Sequence, residues 1–343
     1  MGMKLRVGSI RRCIVLLVEA VNVKKCFPLG TGLLSGLFEK RVVHAVDGVS
    51  LSIGEGEIAG LVGESGCGKT TFGKVVLGVL EPTSGTVRFM GRDIYKLKKD
   101  DLKNVRRNLQ MVFQNPYASL NPRKTVRQIL RQPFEIHKII DKDEIEGKVS
   151  LLLEQVGLTP PENFLSRRPH EFSGGQRQRI VLARAIALSP KFIVADEPVS
   201  ALDLSIRAGI LAILVKLQKE LGLGMLFITH ELAIVRNVCK TVAIMYLGKI
   251  VELGDVEEIF KDPLNPYTKA LLDAVPIPNP EKTRRRERRA ISGEVPSMIN
   301  PPLGCRFRNR CPDAEVRCSE VEPELIEMRK DHLVACHLYT KKI

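Results

Sequence analysis

Residues 63–70 read GESGCGKT, and the rest of the chain is best read outward from them. The octapeptide satisfies the spacing G-x-x-x-x-G-K-[ST]. The apolar run Ile58–Val62 (IAGLV) leads into it, and a helix is predicted to begin near Lys69. A buried strand, a glycine turn and a helix in that order make a phosphate cradle. The turn aims successive N–H groups at one anion, and the helix adds its positive end. Gly63, Ser65, Gly66, Cys67 and Gly68 form the turn, with Cys67 read as a small neutral filler. In this pattern Lys69 reaches the β- and γ-phosphates, the Thr70 hydroxyl ligates Mg²⁺, and Thr71 is a further phosphate contact.

A second strand, Phe192–Ala195, runs into Asp196 and Glu197. Phosphoryl transfer to water needs charge neutralisation and an oriented nucleophile. Asp196, at the strand end, can hold Mg²⁺ through water, and Glu197, one residue on, can polarise the attacking water. Around these two segments, short apolar runs alternate with helix-length stretches. Leu109–Phe113, Met225–Thr229 and Thr241–Tyr246 read as strands, and Lys69–Leu80, Gly174–Leu188 and Leu204–Leu221 as helices. That alternation predicts an α/β fold with a mainly parallel sheet covered on both faces. Thr125 to Arg168 lacks strand character and reads as a helical insertion.

Between the two chemical segments lies Phe172–Gln176 (FSGGQ), followed by Arg177, Gln178 and Arg179. Ser173, Gly174, Gly175 and Gln176 open a helix and offer a second set of N–H donors suited to phosphate. One nucleotide does not occupy two helix ends of one compact domain, so a second molecule is expected to supply this motif across an interface. Here the chain resembles the ATP-binding-cassette ATPases, a P-loop NTPase family whose signature is usually LSGGQ. Several further matches follow in order. Gln114 corresponds to the family's Q-loop glutamine, which senses Mg²⁺ and the transmembrane partner. Ser200–Asp203 (SALD) corresponds to the D-loop, with Asp203 in the nucleotide site. His230 corresponds to the switch histidine at the γ-phosphate, and Phe27 to the aromatic that stacks on adenine. Phe172 stands where relatives carry Leu, a side chain that packs without touching phosphate. Lys240, where relatives often carry an acid, is assigned no role.

Within the family, QNPYASLNPRKTV (114–126), FSGGQRQR, ADEPVSALD and DPLNPYT (262–268) are similar to the dipeptide/oligopeptide importer ATPases. In that group the last of these precedes a helix such as Lys269–Ala274. The resemblance implies an ATP-hydrolysing subunit beside a second, related ATPase. The pair would lie beneath two permeases served by an extracellular binding protein, peripheral to the cytoplasmic face of the membrane. Asn115–Pro122 is the expected docking surface for a permease helix. Relatives serve peptides, nickel or sugars, and the ATPase itself does not touch the cargo.

Net charge is +14, yet residues 1–45 carry +6 of it and residues 281–343 another +4. With aromatic residues at 5% and no Trp, stacking material for single-stranded nucleic acid is scarce, and no nucleic-acid partner is expected. A basic face toward anionic lipid or a membrane partner accounts for the excess. No run approaches the roughly 20 apolar residues of a membrane helix. Cys13–Val18, behind Arg11 and Arg12, is too short for a signal peptide and reads as a buried strand. The expected layout is an ATP-binding domain over residues 1–280, with a helical subdomain over about 115–188. A basic linker (KTRRRERR, 282–289) and a small cysteine-bearing module, residues 281–343, follow.

Four of the eight cysteines fall in that tail: Cys305, Cys311, Cys318 and Cys336. Clustered cysteines in a cytosolic protein hold metal more often than disulfides. The resemblance points to a [4Fe–4S] cluster, with Zn²⁺ and free thiols as the alternatives. Arg306, Arg308 and Arg310 are read as charge compensation for such a cluster. Cys13, Cys26 and Cys239 read as core residues. Two other functions compete with transport. A soluble cassette ATPase acting on ribosomes or nucleic acid usually carries two cassettes or a long coiled coil. A P-loop kinase would need no signature motif.

Overall fold

The computed structural model describes residues 16–29, 41–200, 202–275, 293–294 and 296–340. Cys13, Ala201, Asn279–Pro280 and the basic run 282–289 lie outside the described residues. The first strands are β1 (Leu16–Leu29), β2 (Arg41–Gly54), β3 (Ile58–Val62), β4 (Ser84–Phe89), β5 (Arg92–Asp93) and β6 (Leu109–Val112). They are followed by β7 (Phe192–Asp196), β8 (Gly224–Thr229), β9 (Thr241–Tyr246), β10 (Lys249–Asp255), β11 (Ile326–Arg329) and β12 (His332–Val334).

The spine of the molecule is a parallel array in the order β9-β3-β8-β7-β6. Every residue of β3, β7 and β8 is buried, which is why these strands read as continuous apolar runs. Parallel strands place their C-terminal ends along one edge, and the loops leaving β3, β7 and β8 carry the phosphate turn, Glu197 and His230. A second, antiparallel sheet has the order β2-β1-β4-β5. The helix Lys69–Val76 is sandwiched between the two sheets. Its Phe72 and Val75 share one core with Leu17 and Val18 of β1 and with Val194 and Ile228 of the parallel sheet.

Between Thr125 and Arg168 all regular structure is helical, as expected. The helix Val126–His137 is opened by a reciprocal cap between Thr125 and Gln128, and Ile145–Gln155 and Glu162–Leu165 follow it. The helix predicted over Lys69–Leu80 stops at Val76. Gly78 adopts φ 68°, a left-handed conformation that ends helices. The helix expected at Lys269–Ala274 instead spans Pro266–Asp273. Pro266 suits the first helical position, and the Asn265 side chain accepts the Tyr267 N–H at 2.9 Å.

The tail is bound into the sheet. At its β9 edge the array continues antiparallel through β10, β12 and β11. Fully buried Glu252 ties this region together. It accepts from the N–H groups of Leu264 (2.7 Å) and Asn265 (3.0 Å), and His332 Nε2 lies 2.8 Å away. Asp47 of β2 takes an ion pair from Arg306 and further ones from Lys24 (3.0 Å) and Lys249 (3.5 Å). Burial alone would raise the Asp47 carboxyl, but Lys24, Lys249 and Arg306 hold it down at about 2. Cys239 packs half-buried against the core. Cys26 does not join the core: it is half-exposed with Sγ 3.7 Å from His44 Nδ1.

Candidate functional site

The phosphate turn owes its shape to two close backbone approaches. A Cβ at Gly63 would lie 2.1 Å from the Met245 carbonyl oxygen, and one at Gly68 would lie 2.0 Å from that of Ala45. Gly68 also sits at φ 107°, a conformation L side chains rarely adopt. Only glycine fits at either position. Cys67 is buried, and burial pushes its thiol above the ordinary range, so it fills space as a neutral group. Lys69 is also buried, its Nζ donating to the carbonyls of Gly63 (2.7 Å) and Glu64 (2.8 Å). The ammonium is thereby held over the mouth of the turn.

Residues far apart in sequence meet at the C-terminal edge of the parallel array. Thr70 Oγ1 donates to Asp196 Oδ1 at 3.0 Å. Burial pushes the Asp196 carboxyl up, against the Thr70 hydrogen bond. A desolvated carboxylate beside a hydroxyl suits a hard divalent cation, which would relieve the cost of burying the charge. One residue further, Glu197 adopts φ 45°, a left-handed backbone unusual for a non-glycine residue. Its carboxylate accepts from Gln114 Nε2 at 2.8 Å, and His230 Nδ1 lies 3.2 Å away on the other oxygen. Gln114, Glu197 and His230 leave the ends of β6, β7 and β8, so the sheet brings together three side chains that the chain separates.

Phe27 and the FSGGQ segment stand apart from this group. Phe27 is half-exposed on β1, opposite Val43. Val43 lies two residues before Ala45, whose carbonyl backs Gly68. Ser173 caps the helix Gly174–Ile186, accepting from the Gln176 N–H at 3.3 Å, and Gln176 Oε1 accepts from the Ser173 N–H at 3.1 Å. Among the described residues the hydrogen bonds of Ser173–Gln176 stay within this helix start. Gly174 and Gly175 back onto Leu202 and Ile206. Asp203 opens the helix Leu204–Leu221, and its carbonyl accepts from the Ile206 and Arg207 N–H groups, each at 3.0 Å.

A cleft of about 150 Å³ opens beside the FSGGQ segment, lined by Tyr117, Leu120, Pro122, Pro169, His170 and Arg177. Arg177 connects the cleft to the helix start. Its guanidinium covers the exposed Tyr117 ring at 3.7 Å, while its Nε donates to the Phe172 carbonyl at 3.0 Å. The Phe172 side chain is buried, stacked on Phe164 at 6.1 Å.

In the tail the four cysteines are free. Burial pushes Cys311 up to about 11 and Cys336 up to about 12. Yet among the described residues no group of three or more His, Cys, Asp or Glu side chains is gathered so as to hold a metal ion. The expected metal centre therefore finds no support in this geometry. The arginines also serve elsewhere than expected. Arg306 pairs with Asp47, Arg308 reaches the Leu303 and Ser319 carbonyls, and Arg310 forms a two-pronged pair with Glu64 of the phosphate turn at 2.8 and 3.0 Å. Sequence reasoning missed Glu64 and Tyr267, whose hydroxyl accepts the Glu64 N–H at 3.1 Å. Glu64 occupies an unconstrained position of the G-x-x-x-x-G-K-[ST] pattern, so the pattern carried no signal for it.

Among the described residues no helix is long and apolar enough to cross a membrane. Residues 46–200 match the family model described as ABC transporter, and residues 251–318 match the oligopeptide/dipeptide transporter C-terminal region. The chain is 50% identical to the oligopeptide transport ATP-binding protein AppF of Bacillus subtilis, over 94% of this chain and 98% of that protein. It is 45% identical to OppF of Salmonella typhimurium, over 93% and 95% respectively. Among solved structures, the dimeric post-hydrolysis state of the ATP-binding cassette MJ0796, bound to ADP and Pi, superposes with a TM-score of 0.61 at 28% identity. That match covers 70% of this chain and 99% of the other. The cbiO1 protein of Clostridium perfringens, from the cbiONQ transporter complex, gives 0.60 at 27%, covering 72% and 91%.

Proposed function

The chain belongs to the ATP-binding-cassette transporter ATPases, in the oligopeptide branch, and from that premise we propose that it hydrolyses ATP to drive uptake of di- or oligopeptides through partner permeases. The observation that carries the chemistry is the convergence of Gln114 and His230 on Glu197, directly after the Asp196–Thr70 pair. In this reading residues 1–280 are the ATP-binding domain, with the helical subdomain at about 115–188, and residues 281–343 the linker and cysteine module.

The triphosphate lies along the turn Gly63–Thr71. Backbone N–H groups and Lys69 neutralise its charge, and Phe27 flanks the base. Thr70 and Asp196, with Gln114, would hold Mg²⁺, which when bound offsets charge on the phosphate oxygens. Glu197 accepts a proton from the attacking water, held in place by Gln114 and His230. His230 donates toward the γ-phosphate. The site closes when a second, related ATPase presents its own serine–glycine turn, while Ser173–Gln176 and Asp203 of this chain complete the neighbour's site. The pair sits against the cytoplasmic face of two permeases fed by an extracellular binding protein. A permease helix seats in the Tyr117–Arg177 cleft, and Arg177 relays its position to the Phe172 carbonyl and the helix start behind it.

The test is ATPase activity of the reconstituted transporter with its binding protein. Added peptide should raise phosphate release severalfold, whereas nickel and oligosaccharide should not. Stimulation by nickel or sugar alone would overturn the peptide assignment. For the tail, the family resemblance alone, without support from the geometry, carries the reading of a [4Fe–4S] cluster on Cys305, Cys311, Cys318 and Cys336, with Zn²⁺ as the alternative. Anaerobic purification should yield about four iron and four sulfide per chain. One zinc would favour the alternative, and absence of both would leave free thiols.

A further inference from the structure

The contact between the cysteine-bearing tail and the phosphate turn points to a role for the tail at the nucleotide. Glu64 is the second residue of the turn, and its carboxylate is the one negative side chain within GESGCGKT. A bare carboxylate there would repel a triphosphate. The chain answers with Arg310, 246 positions away in sequence, whose Nη1 and Nη2 donate to the two Glu64 oxygens at 2.8 and 3.0 Å. The pair is well shielded, with the Arg310 side chain 8% exposed and that of Glu64 23%. Two parallel N–H···O bonds fix orientation as well as charge.

Arg310 is itself firmly placed. Its Nη1 also donates to Tyr246 Oη at 3.3 Å, and its N–H closes a turn onto the Phe307 carbonyl at 2.9 Å. Phe307 is buried against Tyr246 and Tyr267, with ring centroids 5.3 and 5.2 Å away. Tyr267 in turn accepts the Glu64 N–H. Backbone and side chain of Glu64 are thus both held by groups that the tail packs.

We propose that Arg310 is a positioning residue for nucleotide binding: it neutralises Glu64 and holds that carboxylate turned away from the phosphates. The proposal rests on the reading of Gly63–Thr71 as the ATP site and deepens it by making the tail a determinant of ATP affinity.

The experiment is equilibrium binding of MgATP to the full chain, with KM and kcat measured in the assembled transporter. Arg310→Gln exposes the carboxylate and should weaken MgATP binding about 10-fold, raising KM with kcat little changed. Glu64→Gln removes the charge that needs restraining, so in its background a further Arg310→Gln change should alter MgATP affinity by less than about twofold. The double variant should recover most of what Arg310→Gln loses, because there is no longer a charge to shield. Arg310→Lys, which keeps charge without the fork, should fall between, and it serves if Arg310→Gln does not fold. Parental affinity in Arg310→Gln would overturn the proposal. So would a double variant as weak as Arg310→Gln, since Arg310 would then only hold the tail in place. Lys69→Ala separates the two layers. If it binds MgATP normally, the reading of the ATP site itself fails. If it abolishes binding while the Arg310 variants change nothing, only the role of Arg310 fails.

Discussion

Glu197→Gln is expected to bind MgATP as the parent chain does and to hydrolyse it at least about 10²-fold more slowly, the low end of what a positioned general base contributes. The amide nearly matches the carboxylate in shape, so the left-handed backbone at this position (φ 45°) and the packing of β7 need not change. What is lost is the acceptor for the water's proton. The binding apparatus is separate: among the described residues the turn, Lys69, Thr70 and Asp196 make no hydrogen bond to the Glu197 side chain, which meets Gln114 and His230 instead. The variant should therefore accumulate with ATP bound in the closed two-ATPase state. Phosphate release measured alongside nucleotide retention reads both effects. If Glu197→Gln turns over at the parental rate, another group activates the water and the Gln114–Glu197–His230 arrangement has a different purpose.

How far the sequence foretold this arrangement depends on the range of the interaction concerned. β3, β9 and the helix Leu204–Leu221 fall where their apolar runs placed them, because strands buried on both faces leave an uninterrupted local signal. The antiparallel sheet β2-β1-β4-β5 left no comparable mark. β1 and β2 mix buried and exposed positions irregularly, with register shifts between Leu16 and Val18 and between Ala20 and Val23. The site motifs were legible because phosphate chemistry imposes residue types at short spacing. Contacts over long sequence distance were not. From sequence alone Arg310 reads only as a positive charge beside the cysteines, since nothing local to either residue says that it meets Glu64. The attachment of β12 to β10 was hidden for the same reason: three residues, His332–Val334, are too few to declare a strand. DPLNPYT was legible as a family mark but not as a structural device. The structure shows Asn265 capping the helix and Tyr267 reaching back to the phosphate turn.

Ser173→Asp gives the second large effect, and it tests the shared site rather than the chemistry within one chain. Aspartate caps a helix as well as serine, and a negative charge there is favoured by the helix dipole. The start of the helix Gly174–Ile186 should thus fold unchanged, particularly as Ser173 is exposed and its hydrogen bonds stay local. For a phosphate brought up by a neighbouring ATPase the outcome reverses: the donors that would have met it sit behind a carboxylate. Removing such preorganised donors typically costs about 10²- to 10³-fold in rate, and the added repulsion pushes toward the larger figure. MgATP affinity of the isolated chain should stay within about twofold of the parent, because its own phosphate turn is independent of Ser173. In a heterodimer the damage falls on the site built around the partner's lysine turn. Pairing Ser173→Asp with an intact second ATPase then leaves one site working and one disabled, whereas the lesion in both chains silences the transporter. If the doubly altered assembly hydrolyses ATP at the parental rate, the serine–glycine turn does not meet nucleotide across an interface. If instead the isolated chain loses its own ATP binding, Ser173 acts within the chain and the closed pair is built differently from the one argued above.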